Sequence, residues 1–219
     1  MNPRPRKLRF LRWLPARLFL IHGPSAGSTL YLSFDDGPHP HYTPKVLDLL
    51  AANGARASFF LVGARAEQYP ELVRRIVAEG HMIGNHSYSH PAFEQLPLSA
   101  QLEEVAQTDR VLAGFDGVAQ HPFRPPCGVL PVPLMLNFAL HGRNIAYWSF
   151  DSLDYQRRPT PEAAELLRQK PPRAGDVILM HDDSEHTLEL LEILLPEWRA
   201  QGFAMDALPA KAAVSGKAA

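Results

Sequence analysis

Short apolar runs alternate along this chain with stretches of helical periodicity, and that alternation leaves few folds open. Residues 29–34, 57–62, 81–84, 145–150, 176–180 and 203–207 read as strands. They lack a clean apolar–polar alternation, as expected of strands covered on both faces. Strands separated by helices predict a parallel α/β sheet. Such a sheet can close into a barrel or stay open with helices on both sides, and periodicity does not choose between the two.

The helical stretches carry their own punctuation. Thr43 reads as an N-cap with Pro44 in the first helical position; Val46, Leu47 and Leu50 share one face, and Gly54 closes the helix. Pro70 opens a helix through Ile76 and Val77 that ends at Gly80. Ser99 reads as the cap of a long helix carrying Leu102, Val105, Val111 and Leu112. The proline-rich stretch 122–133 reads as loop, because proline lacks the N–H a ladder or helix interior needs. Pro161 starts a helix through Leu166 and Leu167, and Thr187 reads as the cap of another through Leu195.

At 219 residues the chain suits one domain with a full-sized core. The expected division is a basic leader over 1–28, a single domain over 29–210, and a frayed tail over 211–219. The formal net charge of −1 argues against a nucleic-acid binder. Charge gathers only in the leader, at Arg4, Arg6, Lys7, Arg9, Arg12 and Arg17. That segment suits either solvent or peripheral contact with anionic lipid headgroups. Arg9, Arg12 and Arg17 interrupt its apolar residues, unlike a signal peptide, and no segment approaches the ~20 apolar residues of a membrane span. Cys127 is the only cysteine, so no intrachain disulfide can form. A cytoplasmic location, extending to the inner membrane surface if the leader touches lipid, is expected.

Ionisable residues gather where strands end, which is where parallel α/β folds build their sites. Asp35 and Asp36 close the first run within Ser33-Phe34-Asp35-Asp36-Gly37-Pro38. In a strand-ending turn two such carboxylates can diverge, one toward a cation and one toward a reacting water; a plain Asp-Gly turn is the alternative. His86 and His90 lie four apart in Asn85-His86-Ser87-Tyr88-Ser89-His90 and could meet on one ion. His39, His41, His81 and His121 read as loop residues or as supports behind the site. Arg124 precedes Pro125, Pro126 and Cys127 on a stiff loop, from which it could orient a carboxylate or simply face solvent. Asp151, Asp154 and Tyr155 follow another strand. Leu179 and His181, two apart, face the same way, and a histidine beside an apolar wall and a carboxylate suits proton donation.

The ordered succession SFDDG, HSYSH, RPPC, DSLDY and ILMHD, spanning residues 33–182, resembles the five motifs of the polysaccharide deacetylase family, the NodB-homology domain of carbohydrate esterase family 4. The resemblance implies a distorted (β/α) barrel, usually of seven strands, and removal of acetyl groups from an amino-sugar glycan. It implies that Asp35 is the general base, that Asp36, His86 and His90 hold a divalent metal, usually zinc with cobalt as an alternative, and that Arg124 orients the base. It further implies that Asp154 tunes His181, the general acid, that Leu179 walls the acetyl methyl, and that the Cys127 N–H meets the oxyanion. Two positions depart from the family pattern: Cys127 stands where an aromatic residue is usual, and Tyr155 where tryptophan is usual. An O-acetyl esterase and a non-catalytic glycan-binding relative are the alternatives.

Overall fold

The computed structural model describes residues 3–4, 18–24, 27–156 and 158–209. Arg6, Lys7, Arg9, Arg12 and Arg17 of the basic leader, and the tail over 211–219, lie outside the described residues. Parallel strands β1 (Phe19–Leu20), β2 (Thr29–Asp35), β3 (Ser58–Leu61), β4 (Met82–Asn85), β5 (Ile145–Ala146), β6 (Phe150–Asp151), β7 (Val177–His181) and β8 (Ala204–Asp206) are separated by helices. The helices are α1 (Thr43–Ala52), α2 (Gly63–Gln68), α3 (Pro70–Ala78), α4 (Leu98–Asp116), α5 (Val132–His141), α6 (Thr160–Gln169) and α7 (Glu185–Ala200).

Strand order β4-β3-β2-β7-β6 forms the main sheet, with β8 paired to the start of β2. Parallel bridges from Asn85 to Phe123 and from Phe123 to Ile145 carry the sheet on to the β5–β1 pair. The result is the distorted (β/α) barrel, with seven strands along this path and β8 beside it.

Period-two alternation places the chemistry. Along β2, Leu30, Leu32 and Phe34 pack into the main core with residues of α1 and α7, while Tyr31 belongs to the separate cluster of Phe60, Ala146 and Val177. Ser33 and Asp35 share the Tyr31 face. Along β7, Ile178 and Met180 join the main core, so Leu179 and His181 face the other way. The β2–β7 register sets Ser33 opposite Leu179 and Asp35 opposite His181. The β6–β7 register adds Asp151 opposite Leu179.

Several local expectations are corrected. Part of the expected leader belongs to the fold: Phe19–Leu20 is β1, the Pro3 carbonyl accepts from the Asp151 N–H at 2.7 Å, and Arg4 pairs with Asp176 at 2.8 Å. Residues 145–150 are two strands with different partners. The proline-rich stretch runs into α5, because Pro133 falls in the first turn, where its missing N–H costs nothing. Helix α2 was not expected at all. The caps expected at Thr43, Ser99 and Thr187 lie inside their helices, which follow Tyr42, Pro97 and Ser184. Thr43 Oγ1 instead accepts from the His39 N–H and donates to Asp182, and Thr187 Oγ1 donates to Asp154 at 2.9 Å.

Candidate active site

Loops at the C-terminal ends of the strands converge on a cavity of about 360 Å³. Among the residues described, the non-glycine residues with positive φ are Asp36, Ser87, His90, Cys127 and Leu153, and all of them belong to these loops. Backbone strain of this kind clusters where a site over-determines the chain.

The carboxylate pair diverges at the end of β2. Asp35 keeps the strand direction, and its Oδ1 accepts from Arg124 Nη1 at 2.6 Å. The Arg124 side chain is fully buried, with its guanidinium 3.9 Å from the Phe60 ring centroid. It donates further to Ser33 Oγ at 2.9 Å and to the Tyr147 carbonyl at 3.0 Å. Ser33 Oγ in turn donates to the Ile178 carbonyl. Burial alone drives the Arg124 pKa down, and Asp35 opposes that shift.

Asp36, with φ of 73°, turns the other way. Its Oδ1 lies 3.4 Å from His86 Nε2 and 3.2 Å from His90 Nε2. His86 Nδ1–H donates to the Arg124 carbonyl at 2.8 Å, which fixes the ring and turns Nε2 toward the centre. Burial would raise the Asp36 carboxyl, but the His86 hydrogen bond and the charges of His86, His90 and His181 outweigh it and hold the group far below the usual carboxylate range. Burial lowers the His90 pKa, favouring neutral imidazole. The three donor atoms lie within 4.8 Å of one another. Ligands ~2.0–2.2 Å from a tetrahedral ion sit roughly 3.3 Å apart, so a carboxylate and two imidazoles at 3.2 and 3.4 Å fit a divalent metal.

His181 lines the same cavity. Its Nδ1–H donates to Asp154 Oδ1 at 2.9 Å, and its backbone N–H donates to Asp154 Oδ2 at 2.7 Å. Burial pulls the His181 pKa down, yet the hydrogen bond and charge of Asp154, with the more distant Asp35 and Asp36, push it up to about 10. The imidazole therefore keeps its proton through the neutral range, with Nε2 left for the cavity.

The structure brings the ten singled-out residues into one place. Asp35, Asp36, His86, His90, Cys127, Tyr155, Leu179 and His181 line the cavity, and Arg124 and Asp154 stand buried behind it. His39, His41, His81 and His121 do not line it. Three lining residues had no assigned role: Gly128, Trp148 and Asp151. Gly128, at φ 68°, admits the Trp148 ring, since a Cβ there would sit 2.9 Å from Trp148 Cη2. Trp148 thus supplies an aromatic surface next to Cys127, where the family pattern would have placed one in the loop itself. Burial and the neighbouring Asp154 raise the Asp151 pKa to about 6, against the Leu153 N–H bond that lowers it. The sequence signal for Asp151 was its place at a strand end; for Trp148 there was none.

Residues 22–145 match the family described as polysaccharide deacetylase. The chain is 32% identical over 203 residues to a peptidoglycan-N-acetylglucosamine deacetylase of Bacillus cereus, covering 90% of this chain and 73% of that protein. It is 31% identical over 219 residues to a chitooligosaccharide deacetylase of Sinorhizobium fredii, covering 93% and 98%. The solved structure of the Bc1960 peptidoglycan N-acetylglucosamine deacetylase, bound to a naphthyl N-hydroxybenzamide, superposes with a TM-score of 0.82 at 29% identity, covering 90% of this chain and 94% of that one.

Proposed function

The chain belongs to the polysaccharide deacetylase family, and from that premise we propose that it hydrolyses the N-acetyl groups of N-acetylglucosamine units in a glycan, with zinc held by Asp36, His86 and His90. The observation that carries this reading is one cavity with a fixed carboxylate, Asp35, and an imidazole, His181, hydrogen-bonded to buried Asp154, beside a three-donor cluster. The two relatives are named for acting on peptidoglycan N-acetylglucosamine and on chitooligosaccharide, which share the N-acetylglucosamine unit.

Bound there, a divalent ion supplies Lewis acidity, lowering the pKa of water toward ~7 and polarising the acetyl carbonyl. Asp35 accepts the proton of the attacking water. Its Oδ1 is committed to Arg124, while its Oδ2 lies 3.9 Å from His86 Nε2, next to the donor cluster. The water oxygen bonds to the acetyl carbon, and the Cys127 N–H donates to the oxygen where charge accumulates. His181 then gives its Nε2 proton to the sugar nitrogen as the C–N bond breaks, so acetate and a free amine leave. Leu179, buried on the same face as His181, walls the acetyl methyl.

The test is incubation of the zinc-loaded protein with N-acetylglucosamine oligomers and with acetylated xylan. Mass spectrometry should show a loss of about 42 Da per acetyl group from the oligomers, matching the reaction class. Acetate release from xylan alone would overturn N-deacetylation.

The Asp154 contact yields a pH prediction. The rate requires His181 protonated, so activity falls as pH rises through the His181 pKa. Asp154→Asn removes the charge that holds this pKa up. The basic limb of the kcat profile should move to lower pH by about 1–3 units, the range for losing a close opposite charge. An unmoved basic limb in a folded variant would detach Asp154 from this role.

A further inference from the structure

We propose that Glu104, on α4 outside the cavity, is a positioning residue that sets the metal affinity of the loop carrying His86 and His90. The inference rests on the metal assignment above. The loop is short and adopts left-handed backbone at both Ser87, φ 66°, and His90, φ 55°, a region that side-chain-bearing residues rarely occupy. It contains no glycine, so the conformation has to be imposed from outside.

The hydrogen bonds show what imposes it. Glu104 Oε2 accepts from the Tyr88 N–H at 2.9 Å and from the Ser89 N–H at 2.8 Å, while Oε1 accepts from Ser89 Oγ at 2.9 Å. One carboxylate thus takes both main-chain donors at the crown of the loop. The flanks are held separately. The Ser87 and Tyr88 carbonyls accept from the Gly63 and Ala64 N–H groups at the start of α2, both at 2.9 Å. The Ser87 N–H donates to Asn85 Oδ1, and the His90 N–H donates to Ser87 Oγ. Asn85 is itself tied to α4 through the Val105 carbonyl and Asp109 Oδ1, and Asp109 is paired with Arg143 at 2.6 Å.

Glu104 takes the Tyr88 and Ser89 main-chain N–H donors between the two histidines, whereas Glu67 of α2 reaches the loop through the Tyr88 hydroxyl, at 2.7 Å, and leaves the backbone there to Glu104. Its three bonds fix residues 88 and 89, whose φ and ψ determine how far His90 stands from His86. Without them the loop samples conformations in which the imidazoles do not both meet Asp36, and an ion must first select the rare arrangement. Partners behind metal ligands commonly account for 10–100-fold in affinity.

The experiment is a zinc titration by competition with a chromophoric chelator, on metal-free protein well below its melting temperature. Glu103→Ala serves as the control, since Glu103 sits one residue earlier on α4 and its salt-bridge partner among the described residues is exposed Arg110. Glu104→Ala should weaken the zinc Kd by about 10–100-fold, and Glu103→Ala should leave it where it is. A merely structural Glu104 would lower the melting temperature of the metal-free protein and leave Kd unchanged, and that result overturns the proposal. An equal loss in Glu103→Ala overturns it as well. If Glu104→Ala does not fold, Ser89→Ala removes one of the three bonds and should weaken Kd by about fivefold, the equivalent of one hydrogen bond; an unchanged Kd there is equally fatal. Zinc binding is read without turnover, so a wild-type protein that binds zinc while Glu104→Ala matches it sinks this inference alone, whereas a wild type that binds no metal sinks the metal assignment too.

Discussion

Dialysis against a chelator should reduce acetate release to background, and zinc or cobalt added back should restore it. The expectation follows from what the three donors are without an ion. Asp36 is held ionised, burial keeps His90 toward its neutral form, and His86 has its Nδ1 proton committed to the Arg124 carbonyl. Asp36 therefore needs no deprotonation to bind an ion, and burial favours the neutral imidazole that His90 must present. The cations nearby offer no substitute electrophile: His181 delivers its proton to the leaving nitrogen, and Arg124 is buried behind Asp35 with hydrogen bonds to Asp35, Ser33 and Tyr147. Removing the ion therefore removes the only Lewis acid the cavity can host among the described residues. A second readout accompanies activity. An ion that binds only the folded chain stabilises it by roughly 4 kcal/mol at a thousandfold excess over Kd, so the melting temperature should rise on adding zinc. Full turnover in demonstrably metal-free protein would end the metal reading.

How much of this was legible before the structure depends on which residues are considered. The strand-ending carboxylates and His181 were legible because period two and strand register act together: once β2 and β7 lie parallel, Asp35 and His181 must meet on one face. The helix caps were not legible, for a physical reason. Thr43 and Thr187 have the right chemistry for an N-cap, but each spends its hydroxyl on a buried carboxylate, Asp182 and Asp154, that lies 139 and 33 residues away. Local propensity cannot report a partner so distant in the chain. The same holds for β1, whose two residues become a strand only because β5 presents an edge, and for Trp148, whose place beside the cavity depends on Gly128 lacking a Cβ. Helix α5 was hidden by its own Pro133, which reads as a breaker until its position in the first turn is known.

Asp35→Asn should lower kcat by about 10²–10⁴-fold, the usual cost of losing a general base, while zinc binding persists. The substitution keeps the shape of the side chain and an oxygen for Arg124, but no amide can take a proton from water at neutral pH. The metal donors are a separate set, since Asp35 Oδ2 stands 3.9 Å from His86 Nε2 whereas Asp36 makes the close contacts. The change also has a structural consequence that must be read apart from the catalytic one. Arg124 is fully buried, and Asp35 is its only salt-bridge partner among the described residues. A guanidinium does not shed its proton, so the variant leaves a buried charge facing a neutral amide. Breaking a buried pair in this way costs about 3–5 kcal/mol, less here to the extent that Ser33 Oγ and the Tyr147 carbonyl still accept from it. The variant should therefore melt at a lower temperature, and its kinetics must be measured where it is folded. Under those conditions KM should change little, because in the proposed complex the acetyl group meets Leu179 and the donor cluster rather than Asp35. Near-normal kcat in folded, zinc-loaded Asp35→Asn would remove Asp35 from the base role and leave Asp151, the other carboxylate lining the cavity outside the donor cluster, as the group to test next.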